Sequence, residues 1–126
     1  MEKMIIQTND APAPIGPYSQ AVKANGFLFV SGQVAIVPET GELNMTNIQD
    51  ETHQVMRNLK AVLETAGHKF SNIVKTTIFL SDMSLFASVN EVYGSYFSSN
   101  YPARETLAVK GLPKGVNVEI SVISAS

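Results

Sequence analysis

Two stretches of helical period stand among shorter runs of alternating apolar and polar residues. From Ile48 to Ala66 the positions Ile48, Thr52, Val55, Met56, Leu59, Val62, Leu63 and Ala66 recur at 3.6-residue spacing, while His53, Arg57, Lys60 and Glu64 fall opposite. An amphipathic helix is expected there. Thr46 or Asn47 is placed to cap its first turn and Gly67 to end it. A second helix is expected to start after Asp82 or Ser84 and to reach Ser98, burying Phe86, Val89, Tyr93 and Phe97, with Pro102 barring continuation.

The remaining runs read as strands. Gln20 to Ala24 and Phe27 to Ser31 flank Asn25-Gly26, a pair that tolerates positive φ and so favours a tight hairpin. A second hairpin or loop is expected through Val34 to Val37 and Pro38 to Gly41. The β-branched run Ile73 to Leu80 predicts a central strand. Two more are predicted at Arg104 to Lys110 and Val116 to Ser124, joined by Gly111-Leu112-Pro113-Lys114-Gly115. In the last one, alternation puts Val116, Val118, Ile120 and Val122 on one face and Asn117, Glu119 and Ser121 on the other. Ala11 to Pro17, with three prolines and a glycine, is a loop.

The order ββ(β)αβαββ implies one α+β domain over residues 1–126, a mixed sheet with both helices packed on one face. No helix is left to cover the other face. Apolar residues there need a partner, and the economical one is a second copy of the chain.

Composition narrows the function. A net charge of −2 with nine basic residues and no basic run gives no electrostatic footprint for nucleic acid or for an anionic membrane surface. No apolar stretch is long enough to span a bilayer, and the first residues lack a signal-peptide core, so a cytoplasmic protein is expected. The absence of cysteine removes disulfides, thiolate metal sites and a cysteine nucleophile. His53 and His68 have no nearby ligands at metal-binding spacing and no triad setting, and no glycine-rich phosphate loop is present; neither a metal nor a cofactor is expected.

Arg104 is the candidate that remains. It is one of two arginines, and the other, Arg57, lies on the solvent side of the first helix. Pro102 ends the preceding helix and delivers Arg104 into a strand, where a planar guanidinium on rigid backbone can grip a small carboxylate through two parallel bonds. A surface salt bridge is the alternative use of the same residue. Glu119 stands in an otherwise apolar strand, either on a merely wet face or in a cleft beside Arg104. Tyr18 adds an aromatic hydroxyl.

The fragments Ile15-Gly16-Pro17-Tyr18-Ser19-Gln20-Ala21, Val30-Ser31-Gly32-Gln33, Asn58-Leu59, Val74 to Met83, Phe86, Val89-Asn90, Tyr93, Tyr96-Phe97, Pro102-Ala103-Arg104, Leu112-Pro113 and Val118-Glu119-Ile120 follow one another in order over about a hundred residues. In this arrangement the chain resembles the RidA (YjgF-type) family of enamine/imine deaminases. The resemblance implies a chorismate-mutase-like homotrimer with clefts at the subunit interfaces. It implies hydrolysis of reactive 2-imino acids, such as those arising from 2-aminoacrylate, to 2-oxo acids and ammonia. Carried over by motif, Arg104 would hold the substrate carboxylate, Glu119 would position water, and Tyr18, Ser31, Gly32 and Asn90 would line the pocket.

Three positions depart from the family pattern. Glu105 and Thr106 stand where Ser and Cys are common, and Ser121 where a second glutamate is common. Alternation points Glu105 away from Arg104. Thr106 counts as a substrate-binding position, through either its backbone N–H or its side chain. The competing class is a metabolite-binding regulatory trimer without significant turnover.

Overall fold

Asn25 and Gly26 adopt φ of 52° and 81°, the left-handed pair that a two-residue hairpin turn requires. They join β2 (Ala21–Ala24) to β3 (Phe27–Gln33) in the computed structural model, which describes residues 2–126. The other elements are β1 (Met4–Ile6), α1 (Ile48–Thr65), β4 (Ile73–Leu80), α2 (Phe86–Gly94), β5 (Ala103–Ala108) and β6 (Val118–Ala125). They form one six-stranded sheet in the order β1-β2-β3-β6-β4-β5. Every neighbouring pair is antiparallel except β4 and β5, which run parallel with α2 as their connection.

α1 starts where its capping signal lies: Asn47 Oδ1 accepts from Asp50 N at 2.7 Å. It ends at Gly67, whose φ of 79° lets its own N–H reach Glu64 O and the His68 N–H reach Leu63 O. Its inner face is Thr52, Val55, Met56, Leu59, Val62, Leu63 and Ala66, all buried against Leu28, Val30, Ile78, Val118, Ile120 and Val122 of the sheet. The alternation expected in the last strand holds throughout β6.

Some sequence expectations need correction. The optional third strand is not Val34 to Val37, where only an isolated bridge joins Ile36 to Leu43. The carbonyls of Val34 and Ile36 accept instead from Asn58 Nδ2 at 3.0 and 2.9 Å, so a helix side chain does the work of a strand. The third strand is β1, which pairs with β2 ahead of the proline-rich loop. α2 stops at Gly94, short of Ser98, and the N–H groups of Tyr96 and Phe97 bond back three residues to Tyr93 and Gly94. β4 is an interior strand, one in from the edge formed by β5. Among the described residues, no helix is long and apolar enough to cross a membrane.

Candidate active site

Glu119 lies on the sheet face that the helices leave uncovered. Its cross-strand partner on β4 is Phe79, whereas the helix-facing β4 residues Thr76, Ile78 and Leu80 are fully buried. The strand is pinned just ahead of it. Glu51 of α1 is 1% exposed and accepts from the N–H of Asn117 at 2.7 Å, from that of Val118 at 3.2 Å, and from Asn117 Nδ2 at 2.9 Å. A buried carboxylate satisfied by three donors costs less to bury and fixes the backbone that holds it.

On the other side of Glu119 the pairing of β3 with β6 is irregular between Val30 and Gln33. Ser31 sits in this bulge, donating its hydroxyl to Ser19 O at 2.6 Å and its N–H to Gln20 O at 2.9 Å. Gly32 lies directly against Glu119: a Cβ there would fall on Oε2 and within 2.8 Å of Cδ. Glu119 is half-buried, and burial pushes its carboxyl above the ordinary value. A cavity of about 380 Å³ opens here, with Tyr18, Ser31, Gly32 and Glu119 among its walls and Ile15, Ile36 and Pro113 on its apolar side. The proline-rich wall is held by Gln20, 2% exposed, whose amide donates to the carbonyls of Ala11 and Pro12.

Arg104 is elsewhere. Its strand partner is Thr76, so it projects on the helix side of the sheet, where Nη1 donates to Asn90 Oδ1 at 2.6 Å. Its guanidinium carbon lies 5.3 Å from the Tyr93 ring centre and 5.7 Å from that of Phe86. Asn90, Tyr93, Tyr101 and Arg104 line a second cavity of about 430 Å³. The expected site residues thus form two groups on opposite faces of one protomer: Tyr18, Ser31, Gly32 and Glu119 together, and Asn90 with Arg104. The Glu119 face does not line a cleft beside the same chain's Arg104.

Glu105 points away from Arg104 and pairs with Lys75 at 3.1 Å. Thr106 shares the Arg104 face by alternation; its Oγ1 is buried without a hydrogen-bond partner among the described residues. Ser121 lies on the Glu119 face, opposite Thr77. The histidines are engaged elsewhere. His53 Nδ1 meets Tyr96 OH at 2.7 Å, and His68 Nδ1 meets Ser124 Oγ at 2.7 Å. The second pair has the spacing of a base and nucleophile, but His68 and Ser124 are 1% and 0% exposed, so no substrate reaches them. Phe86, Tyr93 and Glu51 are site-building residues that the sequence reading left out of the site; the helical spacing of Phe86, Asn90 and Tyr93 was the available signal for two of them.

A family model described as Endoribonuclease L-PSP matches residues 8–126. A RutC family protein of Pyrococcus horikoshii is 50% identical over 122 residues, 97% of each chain. The mouse protein named 2-iminobutanoate/2-iminopropanoate deaminase is 44% identical over 122 residues, 97% of this chain and 90% of its own. The crystal structure of a Rid-family protein from Yersinia pestis superposes with a TM-score of 0.97 at 47% identity, covering 99% of this chain and all of the other.

Proposed function

Because this chain belongs to the RidA (YjgF) family, we propose that it is a hydrolytic deaminase of 2-imino acids and their enamine tautomers, working in clefts between the subunits of a homotrimer. The observation that carries the reading is Glu119: a half-buried carboxyl with a raised pKa, against Gly32, in a cavity that holds Tyr18 and Ser31. A carboxyl whose charged form is disfavoured by burial is suited to holding a proton and giving it back during a reaction.

The imine carbon is already electrophilic when its nitrogen is protonated, so no protein nucleophile is required. Water adds its oxygen to that carbon as the C=N bond becomes C–N, and Glu119 takes the proton that water releases. The resulting carbinolamine nitrogen takes a proton back from Glu119. Ammonia then leaves as the C–N bond breaks and the C=O bond forms, the hydroxyl giving its proton to Glu119, from which the departing ammonia takes it as ammonium. Arg104 from a neighbouring subunit holds the substrate carboxylate throughout, with Asn90 beside it and Thr106 on the same face. The 44% identity to the mouse deaminase supports this reaction class.

The test is turnover of an imine generated in situ, corrected for its spontaneous hydrolysis. Arg104→Ala is expected to abolish enzyme-dependent turnover and binding of a 2-oxo acid, since charge-assisted bonds of about 1.5–3 kcal/mol each are lost. Glu119→Gln should lower turnover by ~10²–10⁴-fold with binding largely retained. Saturable binding of a 2-oxo acid by a wild-type protein that hydrolyses no imine would establish the regulatory reading instead.

A further inference from the structure

We propose that Asn90 and Tyr93 are positioning residues that hold Arg104 as a half-occupied fork, one edge bound by a neutral amide and the other presented to an incoming carboxylate. This rests on Arg104 being the carboxylate anchor.

Arg104 stands on β5, an edge strand, where a long side chain would ordinarily sample many rotamers. Three residues of α2 restrain it. Phe86, Asn90 and Tyr93 are spaced four and three residues apart, so they lie along one stripe of the helix facing the guanidinium. The Asn90 carboxamide takes Nη1 at 2.6 Å, and both rings lie within the roughly 6 Å over which a cation is attracted to an aromatic face. Tyr93 is itself fixed: it is 4% exposed, and its hydroxyl donates to Thr76 Oγ1 at 2.9 Å. Thr76 is the residue paired with Arg104 across β4 and β5, which closes a loop from strand to helix and back.

The chemistry of the partner matters as much as its position. No carboxylate forms an ion pair with Arg104 among the described residues; the one ion pair nearby, Lys75 with Glu105, is on the opposite face. The neutral Asn90 amide accepts one hydrogen bond from Arg104 and leaves the positive charge intact. Four of the five guanidinium N–H groups remain for other partners. An aspartate at position 90 would orient Arg104 equally well and neutralise it. Orientation and charge are therefore separable by mutation.

The experiment measures binding of 2-oxobutanoate by calorimetry, with KM and kcat for an in-situ imine and thermal unfolding alongside, for the intact assembly. Asn90→Ala should bind ~5–10-fold more weakly, with most of the kinetic loss in KM. Asn90→Asp should unfold at least as high as Asn90→Ala and yet bind more weakly than it, by a further ~5-fold or more, because the new carboxylate competes with the ligand. Tyr93→Leu, which removes the ring beside the guanidinium, should lose ~3–5-fold. A purely structural role for Asn90 predicts the reverse order, with aspartate rescuing alanine. Wild-type binding by Asn90→Ala, or aspartate better than alanine, overturns the proposal while leaving the anchor intact. Arg104→Ala is the control: if it binds 2-oxobutanoate normally, the anchor reading and this proposal fall together.

Discussion

Nothing in the backbone at position 32 demands glycine, since Gly32 lies outside the left-handed region occupied by Gly26, Gly41, Gly67 and Gly115. What demands it is the neighbour. A methyl group there occupies the place of the Glu119 carboxylate, so Gly32→Ala acts on the site through a side chain on another strand. The expected outcome is a folded protein that melts close to wild type, with imine turnover reduced by ~10²-fold, the loss associated with displacing a reacting group by about an ångström. Full activity in Gly32→Ala would mean that Glu119 can work from a shifted position. The sequence displayed Ser31-Gly32 as a motif but offered no reason for the glycine. That reason lies in a contact between β3 and β6, some ninety residues apart in the chain, which no local pattern encodes.

At the scale of elements, apolar periodicity carried the information for α1 and β6 and β-branched density that for β4, and their spans match to within two residues. It could not reveal the polar interior. Gln20, Glu51, Asn58 and His68 are all buried, and each hydrogen-bonds to a distant segment: the proline-rich loop, the start of β6, the Val34 to Ile36 loop, and Ser124. A helical wheel places Glu51 and Asn58 beside the apolar face without saying that they enter it. β1 was missed because Met4–Ile6 is three residues long, too short for alternation to show. His68 gives this buried polar layer a measurable signature. Burial, with Lys23 nearby, pushes its pKa below 6.5, and its Nε2 has no hydrogen-bond partner among the described residues. The unfolded chain therefore binds a proton that the folded chain refuses, and stability falls as pH drops below about 6.5. Glu119, with its pKa raised by burial, works in the opposite sense. Thermal unfolding between about pH 7 and pH 5.5 should show a falling Tm in wild type and a flatter profile in His68→Gln. Parallel profiles would remove His68 as the source.

The whole molecule leaves one sheet face bare. Phe27 and Phe29 are 44% and 47% exposed with ring centres 6.3 Å apart, and Ile123 on the adjacent strand is only partly covered. This is the face that sequence alternation left without a partner, and it carries Glu119. Arg104 looks the other way, across the thickness of the sheet, so one protomer cannot bring both groups to one small substrate. The composite sites proposed between copies would resolve the difficulty and make a prediction that a single-chain site does not. As pure proteins Arg104→Ala should be inactive and Glu119→Gln reduced by ~10²–10⁴-fold. When the two are co-expressed, or unfolded together and refolded, random assembly places an intact Arg104 beside an intact Glu119 in about one cleft in four. Enzyme-dependent imine hydrolysis should then return to roughly a quarter of the wild-type level, in a species that sediments as a trimer. Mixing the folded variants without exchange should restore nothing. Activity absent from verified mixed assemblies would mean that the two residues never share a cleft.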